Sequence, residues 1–132
     1  MRNLILIWVS ISLLASCSSN QDTSDLMLND GNKWKVNEEM TPHIQQGNEI
    51  MNTYLTEKKT DFQELAKALK TQNSSLIKSC TMKGASHDEL HKWLYPHIGF
   101  IKSLSSTNDS KEAEKIIIQI KESFETYQKY FE

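Results

Sequence analysis

The chain has 132 residues, of which 24% are charged and 38% hydrophobic, with two cysteines and a formal net charge of −2. That size fits one small domain. Acidic residues slightly outnumber scattered lysines and no basic stripe forms, which argues against a nucleic-acid partner.

The chain opens Met1-Arg2-Asn3 and then runs apolar from Leu4 to Ala15. One positive charge before a short apolar run reads as a secretory signal. The run is too short to span a bilayer, which takes about 20 apolar residues. It ends Leu14-Ala15-Ser16-Cys17, which resembles the bacterial lipobox. The resemblance implies a signal peptide over 1–16, acylation of Cys17 (palmitate among the acyl groups) and anchoring in the cell envelope. Ser18 after that cysteine implies, by the same resemblance, the outer membrane and a periplasm-facing domain. An ordinary signal peptide cut near Ala15, or an uncleaved anchor, is the alternative. The compartment would be oxidising. With Cys17 acylated, Cys80 has no partner within the chain, so its thiol is buried, bound to metal or paired with another chain.

Residues 17–33 are mostly polar and lack periodicity, which predicts a lipidated N-terminus and flexible tether. The domain is expected over 34–132, with Trp34 over one end. A first helix is capped by Asn37 or by Thr41, the latter with Pro42 at the favoured first position. Met40, Ile44, Gly47, Met51, Tyr54 and Leu55 share its face, and it ends near Lys58. Gly47 would permit close approach by a bulky neighbour. A second helix starts at Thr60, buries Phe62, Leu65, Ala66, Leu69, Leu76, Ile77 and Cys80, and ends near Lys83. Asn73 sits at the edge of that stripe. A third runs from His87 to about Leu104 on Leu90, Leu94, Ile98 and Ile101, with a kink or break expected at Pro96. A fourth starts at Asn108 or Asp109, where Asp109 and Glu112 have capping-box spacing, and continues through Ile116, Ile117, Ile120, Phe124 and Tyr127. Four amphipathic runs, short connections and no strand signal predict an all-α, up-down-up-down four-helix bundle.

The corner between helices two and three carries the chemistry. Gly84 suits a left-handed position closing helix two, and Ser86 with Glu89 has capping-box spacing. Two sulfurs, Cys80 and Met82, then lie beside two imidazoles, His87 and His91. The bundle topology would bring Met40, His43, Tyr127 and Tyr130 to the same end. His87 and His91 are one turn apart and can share an ion. Cys80 and Met82 are about 200° apart if both are helical, so both face inward only if the helix unwinds. His97 falls on the opposite edge of helix three's apolar face and is set aside. Thiolate, thioether and imidazole suit copper(I), with zinc open through Cys and His. The expected metal set is therefore Cys80, His87 and His91, completed by Met82, Met40 or His43. The plainer reading makes Cys80 a small hydrophobe, the methionines core filler and His87 a solvated residue.

The architecture is similar to cytochrome c′ and the haem-b bundle cytochromes. No Cys-x-x-Cys-His occurs and helix four has no histidine, so haem is not expected. The pattern Cys80-Thr81-Met82-Lys83-Gly84, His87, Leu90-His91 and Trp93-Leu94 also looks like that of bacterial lipoproteins with helical bundle domains, which implies no particular activity. Three function classes follow. One is a metal-binding or metal-buffering envelope lipoprotein, and another is a structural or protein-interaction lipoprotein with no metal site. An enzyme is not expected: Cys80 with His87 or His91 could form a thiolate–imidazolium pair, but no orienting third group is evident.

Overall fold

A computed structural model describes residues 25–132. The expected signal segment, 1–16, and Cys17 lie outside the described residues. The fold is all-helical: α1 spans Thr41–Thr56, α2 Phe62–Ser79, α3 Ala85–Ser106 and α4 Ser110–Tyr130, with a 3₁₀ turn at Glu38–Met40 before α1. Packing runs between consecutive helices, α1 on α2, α2 on α3 and α3 on α4, as in an up-down-up-down bundle. None of the described helices is long and apolar enough to cross a membrane.

The helix starts follow local chemistry. Asp61 caps α2, its Oδ1 accepting Glu64 N at 2.9 Å, in place of the expected Thr60. A carboxylate satisfies an orphan amide and complements the helix dipole, which a hydroxyl does less well. Asp109 caps α4 by accepting from Lys111 N and Glu112 N. The Glu112 carboxylate accepts from Thr107 Oγ1 rather than returning to the Asp109 amide, which Thr107 Oγ1 itself accepts. Pro42 lies in the first turn of α1. Gly47 is buried where α1 meets α4; a Cβ there would come within 3.1 Å of Phe124 Cζ, so the close approach expected at this glycine is present.

The core divides in two along the bundle. At the far end, Met51, Leu65, Leu69, Ile101, Leu104, Ala113, Ile117, Ile120 and Phe124 pack together. At the corner end, Leu26, Met40, Ile44, Leu76, Leu90, Trp93, Leu94, Tyr127 and Phe131 form a second, more aromatic cluster.

Several boundaries differ from the sequence expectation. α3 runs unbroken through Pro96. The ring removes the amide that would bond the carbonyl of residue 92, and Lys92 is exposed, so solvent can take that carbonyl. Packing also begins before Trp34. Leu26 is buried in the corner cluster, and Trp34 Nε1 donates to the Met27 carbonyl at 2.7 Å. The segment from Asp25 onward thus lies along the domain as a strap, because it carries one apolar side chain into the core.

Candidate metal centre

The corner end is assembled by backbone and side-chain hydrogen bonds from four parts of the chain. Trp34 N donates to Tyr130 O, Glu132 N to Trp34 O, and Val36 N to Glu132 O, tying the chain before α1 to the end of α4. Asn37 then reaches the α2–α3 corner: its Nδ2 donates to Ser79 O at 2.9 Å, and its Oδ1 accepts Thr81 N at 3.1 Å. The expected gathering of the starts of α1 and α3 with the ends of α2 and α4 is therefore present.

Asn37 also explains why α2 stops at Ser79 and not near Lys83. A side-chain amide takes the last carbonyl and a following amide, the groups that another helical turn would have used. Cys80 is the C-cap, with extended backbone at φ −73° and ψ 120°. Residues 80–84 form a short link, and Gly84, at φ 73°, is the residue from which α3 departs rather than the one that closes α2. Its carbonyl accepts Asp88 N at 3.0 Å. The anticipated Ser86–Glu89 capping box is absent, because Ser86 lies inside the first turn. The buried Glu89 carboxylate instead accepts the strap amide Met27 N and pairs with Lys92 Nζ at 2.8 Å.

His87 and His91 are both half-buried on α3, one turn apart, with ring centroids 4.2 Å apart and planes tilted by 55°. Tyr95 continues the row: its ring centroid lies 4.8 Å from that of His91, and its hydroxyl is 3.1 Å from His91 Nδ1. In the tautomer with the proton on Nδ1, His91 donates to Tyr95 Oη and Nε2 keeps its lone pair. An outer hydrogen bond of this kind orients metal-binding imidazoles.

The other expected ligands are placed differently. Cys80 and Met82 are partly buried and pack against the corner apolar cluster. Met40 is wholly buried within it. His43 sits beside the buried Gln72, whose Nε2 is 3.0 Å from His43 Nδ1 and 2.9 Å from the His43 carbonyl. An amide donating to Nδ1 leaves the imidazole proton on Nε2, so in that state neither nitrogen offers a lone pair. Among the described residues, no three His, Cys, Asp or Glu side chains converge as a metal-binding group. The structure thus brings His87 and His91 together and does not join the Cys80 thiol to them.

His97, expected at the far edge of α3, is the most buried histidine. It is wholly enclosed, stacked on Trp93 at 4.7 Å and edge-on to Phe124 at 4.7 Å. Its Nδ1 is 2.9 Å from Ser123 Oγ, and its Nε2 is buried without a partner. Burial lowers its pKa to about 3. Trp93 Nε1 donates to the Ser123 carbonyl at 2.7 Å, so α3 and α4 share a polar seam inside the aromatic cluster. The sequence signal for His97 was its position four residues after Trp93 and seven after Leu90, on the apolar stripe's own periodicity. Drawing the stripe through Leu90, Leu94, Ile98 and Ile101 without Trp93 put His97 at its opposite edge.

No family model, curated protein or solved structure matches the chain.

Proposed function

We propose that this chain is a non-catalytic, lipid-anchored envelope protein whose helical bundle binds or buffers copper or zinc, with His87 and His91 as the primary ligand pair. The supporting observation is the pair itself: two imidazoles one turn apart, 4.2 Å between centroids, at the corner that also carries Cys80 and Met82. Two imidazoles on one helical face suit copper(II) or zinc. Adding the Cys80 thiolate or the Met82 thioether shifts the preference toward copper(I). Tyr95 would hold the His91 ring, and the solvent-facing positions of the ion would remain open for delivery or exchange. The anchor rests on Leu14-Ala15-Ser16-Cys17, so the domain would face the periplasm from the outer membrane. The strap from Asp25 joins the domain at the corner end.

Titration of the full chain with copper(I) under anaerobic conditions, and separately with zinc, tests this reading. One equivalent should bind, and His87→Ala or His91→Ala should abolish binding. Cys80→Ser should weaken copper(I) more than zinc if the thiol completes the site. Affinity should fall in acid, because protons compete for the imidazoles. Cys17→Ser should release the chain from membranes and remove acyl label.

A second reading is a protein-interaction lipoprotein with no metal site. It is favoured by the packing of Cys80 and Met82 into the corner apolar cluster and by the absence of a three-residue ligand group among the described residues. A chain indifferent to copper(I) and zinc, with Cys80 resistant to alkylation, would select it.

A further inference from the structure

The far end of the bundle carries a feature that the corner does not explain. A groove with a cavity of about 420 Å³ lies between α1 and the start of α2. Its apolar floor is the half-buried Ile50 and Ala68 over the buried Leu65, and its rim carries the carboxylates of Glu49, Asp61 and Glu64. Tyr54 and Lys59 complete the lining. The single cation, Lys59, lies 3.1 Å from Glu57, so it is already engaged. Asp61 is used as the α2 cap, whereas Glu49 and Glu64 make no side-chain hydrogen bond or ion pair among the described residues. Burial first, and then the carboxylates of Asp61 and Glu114, raise the pKa of the Tyr54 phenol.

Three properties define what fits. The lining along α1 runs from Gln46 to Tyr54, about 12 Å at 1.5 Å per residue. That is two helical turns, longer than one ammonium group needs. The floor is apolar, so a purely polar polycation would leave it uncovered. The rim is acidic, so an anionic or neutral segment would be disfavoured.

We propose that this groove docks a basic amphipathic helix of a partner protein, with apolar side chains one turn apart on Ile50, Leu65 and Ala68 and lysine or arginine against Glu49 and Glu64. Helix-in-groove recognition reads apolar anchors at such spacing, and the rim charges set approach and register. The site is separate from the histidine pair and does not depend on metal.

Fluorescence anisotropy with the full chain tests the proposal. The probe is a labelled, end-capped ten-residue peptide with leucines at positions 3 and 7 and lysines elsewhere on alanine. A matched peptide carries glutamate in place of lysine. The basic peptide should bind and the acidic one should not. Glu49→Gln with Glu64→Gln should weaken binding about three- to tenfold, the effect of two rim charges. Ala68→Trp, which fills the floor, should weaken it at least as much, while His87→Ala should leave it unchanged. Equal binding of both peptides would overturn the proposal. So would unchanged affinity in both groove variants, or displacement by spermine with no effect of Ala68→Trp, which would show charge attraction alone.

Discussion

The two ends of the bundle are built from different materials. The far core is almost wholly aliphatic, with Met51, Leu65, Leu69, Leu104, Ile116, Ile117 and Ile120 supplied at regular helical spacing. The corner core holds Trp93, Tyr127 and Phe131 in mutual aromatic contact, together with His97, Ser123 and Gln72 as buried polar groups. Aliphatic packing is non-directional and stabilises through area removed from water. The corner end relies on directed hydrogen bonds: Trp93 to Ser123, His97 to Ser123, Asn37 to Ser79 and Thr81, and the bridge between Trp34 and Phe131. The contrast implies that the far end mainly holds the bundle together and the corner end holds side chains in set positions.

The largest effect should come from breaking the far core. Leu69, 1% exposed, should cost about 2–5 kcal/mol when replaced by alanine, with Ile117→Ala in the lower part of that range. Denaturant midpoints at constant slope would measure this, and a loss under 1 kcal/mol would contradict the aliphatic-core account.

Acid should expose the weakness of the corner. His97 has a folded pKa near 3 and an ordinary value near 6.5. The unfolded chain therefore binds a proton that the folded chain refuses. Its contribution is complete above about pH 6.5 and is lost as pH falls toward 3, by about 1.4 kcal/mol per pH unit. Between pH 7 and pH 4.5 the His97 contribution should drop by about 2–3 kcal/mol. His97→Leu should flatten the stability–pH curve in that window whatever it does to stability at neutral pH. An identical slope in variant and parent would show that the ring titrates freely when folded.

A smaller effect sharpens the comparison at the Asn37 staple. Asn37→Ala removes its bonds to Ser79 O and Thr81 N and should cost about 1–2 kcal/mol. Hydrogen exchange should accelerate at the Thr81 amide before any amide of the far core. Uniform acceleration through the bundle would mean that the two ends unfold as one unit.

Much of this architecture was legible in the amino-acid order. Gly47 marked a close approach without naming Phe124 of α4 as the partner, whereas the four amphipathic runs, the α4 cap at Asp109 and the one-turn spacing of His87 and His91 are local. Each depends on residues within a turn or two, where helical geometry leaves one arrangement. The candidate site was legible only in part, because a ligand set drawn from four segments depends on where the link between helices leaves its side chains. Cys80 and Met82 were readable both as donors by type and as apolar packing; their place against the corner apolar cluster came only with the structure.

Periodicity and capping chemistry alone determined the all-helical class, the number of helices and the main line of each apolar face, since those follow from 3.6 residues per turn and from orphan groups at helix ends; Leu55 and Ile77, expected inward, are exposed. Tertiary structure decided the rest. A side chain distant in sequence can outcompete a local partner for a backbone group. Asn37 ends α2 from 42 residues away, and the strap amide of Met27, 62 residues from Glu89, takes the carboxylate that local spacing assigned to a cap. His97 is buried because α4 places Ser123 and Phe124 against it, so its environment comes from a facing helix and not from its own neighbours in the chain.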